Sequence, residues 1–197
     1  MNTVKLLQRA RDILKAEARA IENIPLDDNI VMVSGLFLKC RGKVILSGMG
    51  KAGHIAQKLA GTLSSTGTPS VFLHPGESEH GDLGVITSSD LLMVFSNSGK
   101  TREIAEMIVL ARRLGLKKVI AVTSHAESPI RSLSDIILDI GPISEPCPLG
   151  LTPTASTAAM LALGDALALI TMEARGFTRK DYGLRHHGGY LGSIANR

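Results

Sequence analysis

Four short stretches of this 197-residue chain carry residues that bind anions or move protons. The first, Ser47-Gly48-Met49-Gly50-Lys51-Ala52-Gly53, fits G-x-G-x-x-G through Gly48, Gly50 and Gly53. A dinucleotide site of that pattern expects an acidic residue about 20 positions on, at the end of the following strand. That place holds His74-Pro75-Gly76, with Glu77 only beyond it, and Lys51 suits a tight pyrophosphate turn poorly. A lysine at a helix start opposes the helix dipole, so an anion is expected beside it, from a substrate or a nearby carboxylate. The second stretch, Ser96-Asn97-Ser98-Gly99-Lys100-Thr101-Arg102-Glu103, imitates a nucleotide P-loop, but Val94 stands where that motif requires glycine. Three hydroxyls (Ser96, Ser98, Thr101) beside the free N–H groups of a helix start instead suit a phosphate monoester. Plain N-capping needs one hydroxyl, not three.

The third stretch is Glu145-Pro146-Cys147-Pro148-Leu149-Gly150-Leu151-Thr152-Pro153-Thr154. Prolines on both sides of Cys147 stiffen it and hold Glu145 in place, although such a carboxylate taken alone is most simply a surface residue. Thr152 or Thr154 can cap the helix that follows or reach an anion. The fourth is Arg185-His186-His187-Gly188-Gly189. Two adjacent imidazoles in a glycine-rich tail, with no apolar pattern to bury them, read as functional.

The elements that must position these residues follow from periodicity. KVILSG (43–48), SVFLH (70–74), DLLMVFS (90–96), KKVIAVTS (117–124) and DIILDIG (135–141) are short apolar runs bounded by Gly, Ser or Pro, and each predicts a buried strand. Helical patterns lie over 51–66, 101–114 and 127–133, the last with Ser124 and Glu127 placed as a capping box. An amphipathic helix is predicted over 3–23, ended by Pro25, then a helix over 28–39 capped by Asp27 or Asp28, and a long helix over 153–174. Strands alternating with helices predict a mainly parallel sheet covered on both faces, with ligands beyond the C-terminal strand ends. All four chemical stretches lie at or after such ends.

Length allows one domain. At 44% hydrophobic and 20% charged the chain holds a core, which excludes disorder. Aromatics are only 3% and net charge is +4, so neither a base-stacking platform nor a nucleic-acid face is expected. Two distant cysteines, Cys40 and Cys147, make neither a disulfide framework nor a zinc cluster and suit a reducing, cytoplasmic setting. The charged N-terminus does not read as a signal peptide. The apolar run 157–172 contains Asp165 and is shorter than the roughly 20 residues a membrane span needs, so no membrane partner is expected.

Taken as a set, S-G-M-G-K-A-G-H (47–54), H-P-G-E-x-x-H-G-D-L-G (74–84), S-N-S-G-x-T-x-E (96–103), E-x-C-P-L-G-L-x-P-T (145–154) and H-x-G-G-x-L-G (186–192) resemble the sugar isomerase (SIS) family, and within it the arabinose-5-phosphate isomerases. The resemblance runs from about residue 40 to 192. It implies an α/β fold: a three-layer αβα sandwich, flavodoxin-like or Rossmann-like, around a five-stranded mainly parallel sheet. One SIS domain would occupy 1–197, with an N-terminal helix (3–23), a core (about 40–175) and an active-site tail (about 178–197). Longer members continue into paired cystathionine-β-synthase-type repeats, so this sequence looks like a single-domain form. The implied reaction interconverts D-ribulose 5-phosphate and D-arabinose 5-phosphate, supplying Kdo for lipopolysaccharide or capsule.

Carried over by residue, the resemblance makes Lys51, Glu103, Glu145 and His186 catalytic, and Ser96, Asn97, Ser98 and Thr101 the phosphate loop. Ser47, Gly67, Thr68, His80, Gly141, Pro142 and Ile143 fall in segments that line the sugar site, and His74 matches a position where zinc inhibits. No cofactor is implied, and the family's homotetramers pass the C-terminal histidine into a neighbouring subunit's site. Two departures stand out: the usual S-H-P-G-G reads Arg185-His186-His187-Gly188-Gly189, and a basic residue after L-G is replaced by Ser193. The implied chemistry agrees with the residues, because moving a proton between C1 and C2 through an enediolate needs carboxylates, a proton shuttle and a cation for the oxyanion. A non-catalytic sugar-phosphate or nucleotide-sugar sensor on the same fold, or an isomerase of another sugar phosphate, are the competing readings. Presence of all four candidate catalytic residues weighs against the sensor.

Overall fold

Each of the five apolar runs forms a strand in the computed structural model, which describes residues 2–196. They are β1 (Val44–Gly48), β2 (Ser70–Phe72), β3 (Leu91–Phe95), β4 (Lys118–Thr123) and β5 (Ile136–Asp139). Their order in the sheet is β2-β1-β3-β4-β5 and every pairing is parallel. Parallel neighbours need crossovers, and helices supply them on both faces. Strand residues alternate between two cores. Val44, Leu46, Met93, Phe95, Ile120 and Val122 point to one; Ile45, Leu92, Val94, Val119 and Ala121 point to the other. Helices α2 (Asp28–Lys39), α3 (Gly50–Ser65) and α6 (Ala155–Ala174) cover the first face through Phe37, Leu59, Leu63, Met160 and Leu167. Helices α4 (Arg102–Arg113) and α5 (Pro129–Leu133) cover the second through Ile104, Met107, Ile108 and Ile130.

Helix α1 (Thr3–Glu22) lies against α6 but buries none of its residues fully, and Val4, Leu7, Leu14 and Ile21 stay exposed along one stripe. By length and composition α6 could cross a membrane, yet half of its most apolar window is buried inside the fold, as expected of a core helix.

Three details depart from the sequence reading. Strand β2 stops at Phe72, and the chain turns through two 3₁₀ segments, Pro75–His80 and Asp82–Val85. The capping box from Ser124 does not form: its hydroxyl meets His125 Nδ1 at 3.0 Å, and α5 begins later. Pro129 starts that helix with its φ preset and without a donor needing a partner. The C-terminal segment is not an irregular tail but two helices, α7 (Arg179–Arg185) and α8 (Gly189–Ala195), the first closed by a capping box between Thr178 and Asp181.

The entry to β3 is held by a buried carboxylate. Asp90 accepts from Lys43 N and Nζ, both at 2.8 Å, and from Thr87 N at 2.7 Å. Burial pushes its pKa up, but Lys43 and the backbone N–H groups of Lys43 and Thr87 outweigh burial and hold it below the usual range. Asp90→Ala is expected to cost about 3 kcal/mol in urea unfolding at neutral pH, because it strands the ammonium and two N–H groups. A folded pKa below the unfolded one gives stability above the unfolded value of about 3.9, lost as pH falls through the folded value. The gap between wild type and variant therefore closes in acid.

Candidate active site

The chain moves from β1 outward to β2 and then back past β1 to β3, so the sheet reverses direction between β1 and β3. Crossovers leave in opposite directions there and open a crevice at the C-terminal strand ends. A cleft of about 250 Å³ occupies it. One wall is the β1–α3 turn, with Met49, Lys51 and Ala52. The second is the β3–α4 loop, with Ser96, Asn97, Ser98 and Thr101, and the third is the start of α6, with Pro153, Ser156, Thr157 and Met160.

The β3–α4 loop is organised around its own hydroxyls. Ser96 Oγ accepts from Gly99 N at 3.1 Å and pairs with Thr101 Oγ1 at 3.0 Å, and Ser98 Oγ accepts from Lys100 N at 3.3 Å. Gly99 has a φ of 62° and packs its Cα against Ser128 and Ile130, so no side chain fits there. Thr101 occupies the N-cap position of α4 without capping it, and no side chain caps α3 either. Unsatisfied N–H groups at both helix starts, beside exposed Lys51, make this corner attractive to a phosphate. Among the described residues Lys51 makes no ion pair.

Helix α6 is different. The sequence offers Thr152 and Thr154 as its caps; the cap is Glu145. Its Oε2 accepts from Thr154 N at 2.8 Å and Ala155 N at 2.9 Å, and its Oε1 from Ser156 N at 3.1 Å. Burial pushes the carboxyl pKa up, but the Ser156 hydroxyl beside it and the N–H groups of Thr154, Ser156 and Ala155 hold it below the usual carboxylate range. Glu103 is half-buried in the first turn of α4 and is not among the residues that line the cleft. Both carboxylates thus flank the cleft rather than line it.

The remaining sequence-predicted residues scatter. Ser47 is fully buried, and its hydroxyl donates to Leu73 O at 2.6 Å, so it braces β1 instead of meeting a ligand. Gly141, Pro142 and Ile143 follow β5 on the cleft side of the sheet, Gly141 at φ 74° against Pro25 and Ile143 against the core. His74 and His80 are exposed at the two ends of the 3₁₀ segment after β2. Among the described residues no group of three or more His, Cys, Asp or Glu side chains is placed to hold a metal ion.

Gly67, Thr68 and His186 lie at the opposite end of the molecule. Gly67 packs on Phe177 beyond the C-terminus of α6, and Thr68 Oγ1 accepts from Arg175 Nη2 at 3.3 Å. Arg185, next to His186, stacks its guanidinium 5.0 Å from the same Phe177 ring. Helix α6 has its N-terminus at the cleft and its C-terminus here; 20 residues span roughly 30 Å. The His186 ring lies flat on Tyr182 at 3.8 Å, with Nδ1 donating to Tyr182 O at 3.0 Å. That bond leaves the lone pair on Nε2.

Sequence reasoning missed Cys147. Its Sγ accepts from Leu151 N and Thr152 N, each at 3.2 Å. Those N–H groups, Thr152 first, lower the thiol pKa to about 7. Burial pushes the Cys40 thiol up instead. Iodoacetamide is therefore expected to alkylate Cys147 selectively, at a rate rising through pH 7 as thiolate forms. Equal labelling of both cysteines at neutral pH, read by peptide mass, would contradict that geometry.

An SIS domain model matches residues 37–170. The arabinose 5-phosphate isomerase KdsD of Pseudomonas aeruginosa is 44% identical over 188 residues, covering 94% of this chain and 57% of the relative. The chain thus spans little more than half the length of such curated relatives. An Escherichia coli CFT073 protein in complex with arabinose 5-phosphate superposes with a TM-score of 0.90 at 38% identity, covering 94% of this chain and all of that one. A Bacteroides fragilis protein assigned to the phosphosugar isomerases and to capsule formation superposes with a TM-score of 0.90 at 47% identity, covering 94% of this chain and 99% of that one.

Proposed function

The chain belongs to the SIS domain family, and from that membership we propose that it is an aldose–ketose isomerase interconverting D-arabinose 5-phosphate and D-ribulose 5-phosphate. The observation that carries this reading is the cleft at the β1–β3 reversal. There a three-hydroxyl loop and two uncapped helix starts stand beside a lysine with no ion-pair partner among the described residues. The phosphate enters the Ser96–Thr101 loop at the start of α4, and the sugar extends toward Lys51. Its ammonium stabilises the oxyanion of the enediolate, and Glu103 carries the proton between C1 and C2. Hydrogen moves within one molecule, so the reaction leaves no electrons to be carried and the reading calls for no redox cofactor. The relatives' names support Kdo supply, and two free cysteines suit the cytoplasm.

A homotetramer with shared sites completes the reading. His186, its ring fixed and its Nε2 lone pair free, lies beyond the far end of α6 from its own cleft. A second copy can bring that imidazole to this cleft, and the exposed apolar stripe of α1 offers area for association.

The direct test is D-arabinose 5-phosphate in deuterated buffer without added cofactor, with and without EDTA. Ribulose 5-phosphate carrying solvent deuterium at the reacting carbon is expected. Thermal stabilisation without turnover would move the protein to the sensors. Glu103→Gln is expected to lower kcat by about 10²–10⁴-fold with the substrate still bound. Lys51→Ala and His186→Ala chains, each inactive alone, are expected to regain activity when refolded together, since about one site in four then receives both native groups. No recovery in a mixed oligomer would remove the shared site.

A further inference from the structure

Three helices begin at the cleft, and one is treated unlike the other two. The starts of α3 and α4 carry no side-chain cap. The start of α6 is filled by Glu145, whose two oxygens take the N–H groups of Thr154, Ala155 and Ser156 at 2.8–3.1 Å. A phosphate oxygen at a helix start makes the same contacts. Ser156 completes the hole: it is 1% exposed, it lines the cleft, and its Oγ, beside the Glu145 carboxyl, makes no hydrogen bond of ordinary length. That hydroxyl is a donor a tetrahedral anion would use. Across the cleft, Asn97 Oδ1 is likewise buried without a partner.

We propose that Glu145 determines the orientation of the substrate by filling this third anion hole with the chain's own carboxylate. A pentose phosphate carries its dianion at one end and its reacting carbonyl at the other. With the α6 hole open, the phosphate has two places to go, and in the second the carbonyl faces away from the proton-carrying groups. With Glu145 in place, the hole is occupied and its surroundings are negative, so the phosphate enters only the Ser96–Thr101 loop. Glu145 is then a positioning residue that works as a permanent anion. Its donor-only surroundings suit that part better than cycling a proton. The inference rests on the sugar-phosphate reading of the cleft, but its first test does not need turnover.

Inorganic phosphate titrated into the assembled wild-type protein by calorimetry is expected to fill one site per chain. Glu145→Ala is expected to fill two, and Glu145→Gln, which still occupies the hole, one. Where Glu145→Ala does not fold, Glu145→Ser, whose short side chain does not reach the α6 start and leaves the hole open, carries the same count. A single site in the folded alanine or serine variant, or loss of the original site, would overturn the proposal. Kinetics give a second readout if D-arabinose 5-phosphate is turned over. Unproductive binding lowers kcat and KM by the same factor, whereas loss of a proton carrier lowers kcat with KM unchanged, and that second pattern would also overturn it. A wild type that binds one phosphate but turns over no sugar phosphate would remove the isomerase reading and leave the count standing.

Discussion

Backbone N–H groups without partners govern the site end of this molecule. A parallel sheet in the order β2-β1-β3-β4-β5 sends α3, α4 and α6 off its C-terminal edge, so three helix starts meet around one cleft. Each brings N–H groups that the helix itself cannot satisfy, together with the positive end of its dipole. Such groups need water, a side chain or an anion. Of the three, only α6 receives a side chain. Lys51, placed on the first turn of α3, adds positive charge where the dipole already disfavours it. An arrangement that leaves the starts of α3 and α4 without a side-chain cap and sets Lys51 beside them is suited to an anion.

Chemistry then follows from where the negative charges are allowed. Glu103 sits in the first turn of α4, and Glu145 is enclosed by donors. The two carboxylates are similar in sequence and unlike in surroundings. One caps no helix start; the other is committed to three backbone N–H groups. Cys147 shows the same physics in the same loop, its sulfur drawn toward the thiolate by the N–H groups of Leu151 and Thr152.

What is legible in the sequence is what neighbouring residues decide among themselves. The five strands can be read because apolar runs buried on both faces need no knowledge of the rest of the chain. The hydroxyl loop can be read because Ser96, Ser98 and Thr101 bond to groups within five residues of themselves. Glu145 as a cap cannot, because the loop that carries it back nine to eleven residues has no periodicity to betray its path. Ser47 reads as a ligand hydroxyl, but its partner is the carbonyl of Leu73, 26 residues on. The Thr178-x-x-Asp181 box that starts α7 is present to be read, but the following Gly188-Gly189 pair suggests a tail and conceals two short helices.

The residues matched to the sugar site but found elsewhere fall together rather than at random. Gly67, Thr68 and His186 meet around Arg175, Phe177 and Arg185 at the far end of α6. A helix of 20 residues, packed between sheet and α1, is a rigid spacer of roughly 30 Å, so no side-chain rotation closes the distance within one chain. Yet this end is built with the care of a site. Tyr182 holds the half-buried His186 ring by stacking and by its carbonyl, which accepts from Nδ1. An imidazole held in one orientation at the far end of α6 from its own cleft is what the proposed shared site asks of a second copy.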